Sequence, residues 1–346
     1  MSVTSVAERP RTADEVLAWA RALVDPALRA VVDGLPGPLR RVCGYHFGWW
    51  DERGRATAAD PGKAIRPALT LLTARAVGGS AEAAVPVAVA VELVHNFSLL
   101  HDDVMDADLT RRHRPTAWSV FGISQAILAG DALLAVANRL LAQEPAPVCD
   151  RGAEWIGTCC VELCAGQWSD MDFEQRADVS VSEVLAMAAG KTGALLGCAC
   201  ALGALAGGGT PAAAGRLDAF GRKLGLAFQY VDDLLGIWGD PAVTGKPVFA
   251  DLERGKKSLP VVAALTSGTA AGARLAALYH ADRPRGETEL RSLAELIEAA
   301  GARTWACGQA AAALSDAVGI LQTEIADPLP AAELLHVANL IAGRDR

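Results

Sequence analysis

The chain has little of what β-structure is built from. Phe, Trp and Tyr make up 5% of its 346 residues, and Ala and Leu outnumber the β-branched residues. No stretch alternates apolar and polar positions with period two for long enough to mark a strand. The eight cysteines contain no C-x-x-C pair or regular framework, which argues against a zinc ribbon or a disulfide scaffold and fits small core residues in a reduced compartment. The formal charge is −8 with no Lys/Arg block, so a nucleic-acid surface is not expected. The N-terminus lacks an apolar signal-peptide core. Charges interrupt every apolar run near the ~18 residues needed to span a bilayer. The expectation is a soluble cytoplasmic protein with no membrane span and no nucleic-acid partner.

What remains is a composition that favours helix. Hydrophobic residues make 51% of the chain, enough for a sizeable core. Helical patterning is read over about 14–24, 64–77, 82–105, 118–142, 150–175, 181–206, 211–239, 257–266, 270–279, 287–299, 302–325 and 330–342, with Asp14 as the first N-cap. Residues 1–12 read as polar and mobile, and 33–62 as a Gly/Pro-rich connection. Breaks between helices are short, as in bundles. An all-α, single-domain architecture over 1–346 follows, with any metal site inside a bundle.

Two acidic clusters carry the chemistry: Asp102-Asp103-Val104-Met105-Asp106 and Asp232-Asp233-Leu234-Leu235-Gly236, separated by 232 − 102 = 130 positions. Asp102 and Asp106 lie one turn apart on one helix face. Carboxylates at a helix C-terminus are disfavoured by the macrodipole, and carboxylates within an apolar helix need compensation. Divalent metal offsets both, and the clusters are expected to face each other across it. Mg²⁺ takes oxygen ligands, keeps waters and bridges to phosphates. Cations stand nearby: Lys63 and Arg66, Arg111, Arg112 and Arg114, Lys191, Lys246 and Lys256. Arg and Lys are the usual diphosphate partners. His95 shares the face of Asp102 two turns earlier.

These elements, in order, resemble the trans-isoprenyl diphosphate synthases of the polyprenyl synthetase family. The resemblance rests on Gly62-Lys63-x-x-Arg66-Pro67, on Glu92-Leu93-x-His95-x-x-Ser98-Leu99-x-x-Asp102-Asp103-x-x-Asp106, and on Arg111-Arg112-x-x-Pro115-Thr116. Gly130-Asp131, Gly166-Gln167, Lys191-Thr192, Phe228-Gln229-x-x-Asp232-Asp233, Gly245-Lys246 and the stretch Asp251 to Pro260 continue it.

The resemblance implies an isoprenoid synthase-type bundle around an apolar cavity, acting as a homodimer on isopentenyl diphosphate and an allylic diphosphate. It implies that Asp102, Asp106 and Asp232 ligate Mg²⁺, as three ions with substrate bound. Arg111, Lys191, Lys246 and Lys256 would assist the allylic diphosphate. Lys63, Arg66, His95 and Arg112 would bind isopentenyl diphosphate, and Thr192 and Gln229 would line the reacting centre. Phe97 and Ser98 would floor the product cavity, giving a product near C20, with C15 as the shorter option.

Three positions depart from the pattern: Gly236 where a last Asp is usual, His113 where Gly often follows the Arg pair, and a single Gly before Lys63. Gly236 leaves room for a cyclising terpene synthase as the rival on the same fold, against which the isopentenyl diphosphate set argues. Glu92-x-x-His95 and Glu333-x-x-His336 have the spacing of a di-iron bundle, but that reading leaves the Asp clusters unexplained. A catalytically silent subunit of a heteromeric synthase would lack part of the Asp or Lys set, which here is nearly complete.

Overall fold

The computed structural model describes residues 9–57, 59, 62–240, 248–279, 286–325 and 327–343. Helices run through it in chain order: α1 Ala13–Asp33, α2 Gly37–His46, α3 Ile65–Ala76, α4 Val85–Met105, α5 Ala117–Phe121, α6 Ile123–Gln143, α7 Val148–Gln175 and α8 Val181–Ala188. They continue as α9 Ala194–Ala206, α10 Pro211–Trp238, α11 Ala250–Glu253, α12 Leu259–Leu265, α13 Ala270–Tyr279, α14 Glu287–Ala299, α15 Ala302–Glu324 and α16 Pro328–Ala342. The fold is all-α. Among the described residues the only strands are β1 Thr110–Arg111 and β2 Arg114–Pro115, an antiparallel pair too short for a period-two pattern to register.

Two compact units are resolved. The first comprises residues 1–160, 195–219 and 320–337, the second 161–194, 220–319 and 338–346.

In the first unit, α1 differs from the sequence expectation at both ends. Thr12, not Asp14, is the N-cap: its hydroxyl accepts from the Glu15 amide while Glu15 reaches back to the Thr12 amide, a capping box. Residues 9–12 are therefore anchored rather than loose, and Arg11 pairs with the buried carboxylate of Glu333; residues 1–8 lie outside the described chain. The helix also runs past Val24 to Asp33 with Pro26 inside it. Burial of Val24, Leu28 and Val32 on one face, at about 1.5–3 kcal/mol per side chain, outweighs the hydrogen bond that Pro26 forfeits. The sequence reading missed α2 because Gly37 and Pro38 suggest a loop, yet Pro is favoured in a first helical turn. On α4, Val87, Val91, Val94 and Leu100 are fully buried, which carries the helix to its acidic C-terminal turn.

In the second unit, Tyr230, Val231, Leu234, Leu259 and Val262 form one core cluster, and Ile237, Leu252, Val261, Leu293 and Ile297 another.

Among the described residues three helical stretches, 82–105, 123–143 and 181–206, are long and apolar enough to cross a membrane, as is the bent pair 259–265 and 270–279 taken together. Charges such as Glu92, Asp131 and Lys191 interrupt them. The stretches 82–105 and 181–206 bury 61% and 78% of their most apolar window inside the protein, as core helices do. The stretch 123–143 buries 39% and leaves Ile123, Ile127 and Leu128 exposed.

Candidate active site

In the first unit, α4 divides its acidic cluster between two environments. Asp103 is 1% exposed, with Oδ1 2.6 Å from Arg111 Nε. Burial pushes its carboxyl upward more than Arg111 offsets. Asp102 is half-buried and Asp106, the C-cap, is exposed. The sequence treats the three aspartates alike, whereas packing commits one to the protein and turns the others outward.

Basic residues cluster beside this turn. Arg111 and Arg112 belong to a hairpin in which Arg111 pairs with Arg114. Its two loop residues, Arg112 and His113, have φ of +49° and +60°. That is a left-handed two-residue turn, the geometry for which Gly is favoured. The Arg112 guanidinium lies against the backbone of Gly62, where a Cβ would come within 2.7 Å of Nη2. Lys63 follows on the surface, exposed. Arg66, in the first turn of α3, has its Nε buried without a partner. Burial lowers its pKa, and Glu92 offsets part of that. His95 is held well below the ordinary histidine range by burial, then by Arg66, Arg112 and Arg111. It is a neutral imidazole beside three guanidiniums.

Ser98 donates to His95 O at 2.8 Å. Phe97 is buried and packs edge-to-face on His101, with ring centroids 4.8 Å apart.

The di-iron pattern dissolves in the structure. Glu333 is 1% exposed and pairs with Arg75 at 2.7 Å and Arg11 at 3.4 Å, while His336 bonds Arg11 O at 2.6 Å. Glu92 accepts from Asn96.

In the second unit, Lys191 and Thr192 lie in a π-helical turn, Ala189–Gly193, between α8 and α9. Such turns recur at functional sites because they re-aim side chains within a helix. Gly166 and Gly190 permit it: a Cβ on Gly166 would meet Lys191 N at 2.5 Å, and one on Gly190 would meet Glu162 O at 2.6 Å. Lys191 forms an ion pair with Asp170. Thr192 Oγ1 donates to Gln229 Oε1 at 2.6 Å, and Gln229 Nε2 donates to Asp233 Oδ1 at 2.8 Å. Asp233 Oδ2 accepts from Leu259 N at 2.8 Å. Burial pushes the Asp233 carboxyl up to about 7, against the pull of Lys256. Asp232, its neighbour, is only half-buried.

Burial alone would lower the Lys256 ammonium. Asp251, Asp233, Asp170 and Asp232 together hold it well above the usual lysine range. Asp170 is lowered by Lys256 and Lys191 against the upward effect of burial.

Gly236 acquires a physical meaning here. A Cβ at 236 would lie 2.1 Å from Asp251 Oδ2. The space that an aspartate at 236 needs is filled by the Asp251 carboxylate, so this cluster draws its third carboxylate from α11.

The structure thus brings Arg66, His95, Arg111 and Arg112 together in the first unit, and Lys191, Thr192, Gln229 and Lys256 with Asp232 in the second. Lys246 lies outside the described residues. Sequence reasoning missed the carboxylates of Asp170 and Asp251 beside Lys191 and Lys256. Asp170 stood one helical turn after Gly166, and Asp251 opened a matched motif.

The donor set suits Mg²⁺. Among the described residues no group of three or more His, Cys, Asp and Glu side chains forms a ready-made cage. Outward-facing aspartates are what Mg²⁺ accepts when water and phosphate oxygens complete its shell.

The polyprenyl synthetase family matches residues 49–297. A (2E,6E)-farnesyl diphosphate synthase of Mycobacterium tuberculosis is 46% identical over 95% of this chain and 92% of its own. A geranylgeranyl diphosphate synthase of the same organism is 45% identical over 95% and 93%. The crystal structure of a polyprenyl synthetase from Streptomyces coelicolor superposes with a TM-score of 0.91 at 46% identity, covering 94% of this chain and 98% of that one. With its paired acidic clusters and cation sets, the chain belongs to the polyprenyl synthetase family, as a trans-isoprenyl diphosphate synthase.

Proposed function

We propose that this enzyme condenses isopentenyl diphosphate with an allylic diphosphate in the presence of Mg²⁺, releasing diphosphate and a short all-trans product near C20, with C15 as the shorter option. The observation that carries this reading is the division within each acidic cluster. One aspartate is buried and hydrogen-bonded within the protein, while Asp102, Asp106 and Asp232 stay more accessible, with Arg111 and Lys256 close to their clusters.

Asp102, Asp106 and Asp232 are the carboxylates assigned to hold the metal, three ions with substrate bound. Mg²⁺, when bound, supplies charge stabilisation for the departing diphosphate. Lys191, Lys246, Lys256 and Arg111 bind that same diphosphate and offset the charge that grows on its bridging oxygen as the allylic C–O bond breaks. Lys63, Arg66, His95 and Arg112 hold isopentenyl diphosphate so that its double bond attacks the allylic carbon. Proton loss to the departing diphosphate then restores an alkene. Thr192 and Gln229 line the reacting centre, and the apolar bundle excludes the water that would quench the cation. Phe97 and Ser98 limit the chain.

The exposed Ile123, Ile127 and Leu128 on α6 support a homodimer, since a second copy would cover them. A cytoplasmic location accords with this reading.

Purified enzyme incubated with isopentenyl diphosphate and each of the C5, C10 and C15 primers, with and without Mg²⁺, tests the assignment. Elongation only with Mg²⁺ and a C15 or C20 end product is expected. Hydrocarbon formed from geranylgeranyl diphosphate alone would overturn it in favour of a cyclase.

A further inference from the structure

His46 closes α2, and the segment around it is tied to the hairpin that carries Arg111 and Arg112. Tyr45 donates from its hydroxyl to Pro115 O at 2.9 Å. Arg114 donates to Tyr45 O at 3.2 Å and Trp50 O at 3.1 Å, and its guanidinium lies 4.5 Å from the Tyr45 ring centroid. The His46 ring packs edge-on to Phe47 at 6.0 Å. These ties fix where the imidazole points: it lines a cavity together with Asp103, Arg111, Arg112 and Arg114.

Its Nε2 is buried there without a hydrogen-bond partner. Leaving such a group unpaired costs about 1–3 kcal/mol, so it calls for an explanation. The side chains around it leave it unsatisfied. Arg111 Nε is turned to Asp103, and Arg114 to two backbone carbonyls. The Asn96 side chain is close enough to act on the ring, yet its Oδ1 is also buried unpartnered. Asp103 Oδ2 is buried in the same state. The lining sets three guanidiniums against one carboxylate, so the cavity is positive. Burial, then Arg111 and Arg112, push the imidazole down to about 3, which keeps it neutral. A neutral ring among guanidiniums does not repel its neighbours, and in the tautomer with the proton on Nε2 it can donate to an anion.

We propose that His46 is a further substrate-binding residue of the isopentenyl diphosphate subsite, donating from Nε2 to a diphosphate oxygen held by Arg112. This rests on the function proposed above. If wild-type enzyme elongates no primer, that function fails; if it elongates and His46 proves silent, only the present assignment fails.

The test is a split in KM. His46→Phe keeps the ring and removes the donor. It is expected to raise KM for isopentenyl diphosphate about tenfold, the cost of one hydrogen bond to a charged group, with KM for the allylic primer within about twofold. His46→Gln keeps a donor and is expected to recover most of the loss. An unchanged KM for isopentenyl diphosphate, or equal rises for both substrates, overturns the proposal, the second because it marks a purely structural role for the hairpin. A measurement on unmutated protein guards against a variant that does not fold. In ¹⁵N-histidine-labelled enzyme, isopentenyl diphosphate added without primer should shift the His46 Nε2 resonance, identified by its loss in His46→Gln. No shift at saturation overturns the assignment.

Discussion

The candidate site in the first unit gathers guanidinium and imidazole groups, and that in the second gathers ammonium groups set among carboxylates. In the first, Asp103 is the buried aspartate and its partner is a single arginine. In the second, Asp233 is the buried aspartate and its partners are a glutamine amide and a backbone N–H. Both arrangements leave the preceding aspartate, Asp102 or Asp232, turned toward solvent. The same sequence signature, two adjacent aspartates, therefore serves two different supports. The difference predicts which substitutions cost activity and which cost stability.

The largest effect is expected at the outward residues. Asp102→Ala or Asp232→Ala should lower kcat about a thousandfold, or ~4 kcal/mol of transition-state stabilisation. The melting temperature should barely move. Steady-state assays at saturating Mg²⁺ beside thermal melts check this; a comparable loss of stability would erase the distinction between outward and inward aspartates.

The inward residues should behave in the opposite sense, and unequally. Asp103→Asn leaves Arg111 without its counter-charge, a change expected to cost about 2–3 kcal/mol because Arg111 is partly solvated. Asp233→Asn keeps an acceptor for one of its two donors and should cost about 1–2 kcal/mol. Denaturant titration of the two variants ranks them. If Asp233→Asn proves the costlier, the buried carboxylate owes more to Lys256 than to its amide partners.

How far the sequence revealed this division follows from the kind of interaction involved. Helical periodicity exposed most helices and the shared face of Asp102 and Asp106, because period and spacing are properties of the chain itself. It did not reveal that Asp103 and Asp233 turn inward: neighbours on a helix always point about 100° apart, but which of the two directions is buried is set by the elements packed against the helix. Asp251 was legible as part of a motif, but not as the occupant of the space beside Gly236. That requires two segments fifteen residues apart (251 − 236) to meet. The placement of His46 was invisible because it depends on a hairpin distant in sequence.

Acidification should separate the units further. The His46 imidazole sits at about 3 in the folded protein, against about 6.5 in an unfolded chain. The unfolded state therefore binds the proton first. The contribution to stability is complete above about pH 6.5 and is lost as pH falls toward 3, amounting to about 2 kcal/mol between pH 7 and pH 5. His95 is shifted in the same direction. Chemical denaturation at the two pH values should show the loss, and His46→Phe should reduce it, leaving the part that belongs to His95. An unchanged slope in that variant would mean that His46 is not the group being titrated.

Gly236→Asp tests the second unit's substitute carboxylate. The new side chain would meet Asp251, and overpacking of this kind typically costs about 1–3 kcal/mol. The expected result is lower stability and no gain in activity, although the variant restores the usual spacing of aspartates. Higher activity would mean that Asp251 does not serve as the third carboxylate.

The smallest effect concerns the turn that carries Arg112. His113 occupies a left-handed conformation at φ +60°, which costs a residue bearing a Cβ about 1–2 kcal/mol relative to Gly. His113→Gly removes that strain but adds freedom to the unfolded chain, worth about 0.4–1 kcal/mol in the other direction. The net expectation is a gain of about 0.5 kcal/mol, read by denaturant titration. The kinetic outcome carries more information. Arg112 precedes His113 and shares the left-handed turn, with φ +49°. If KM for isopentenyl diphosphate stays within about twofold while stability rises, the strain is incidental and Arg112 is held by its contact with Gly62. If stability rises and KM rises with it, the strained histidine keeps the hairpin from opening, and the first unit uses backbone conformation to aim a cation where the second uses the π-turn at Lys191.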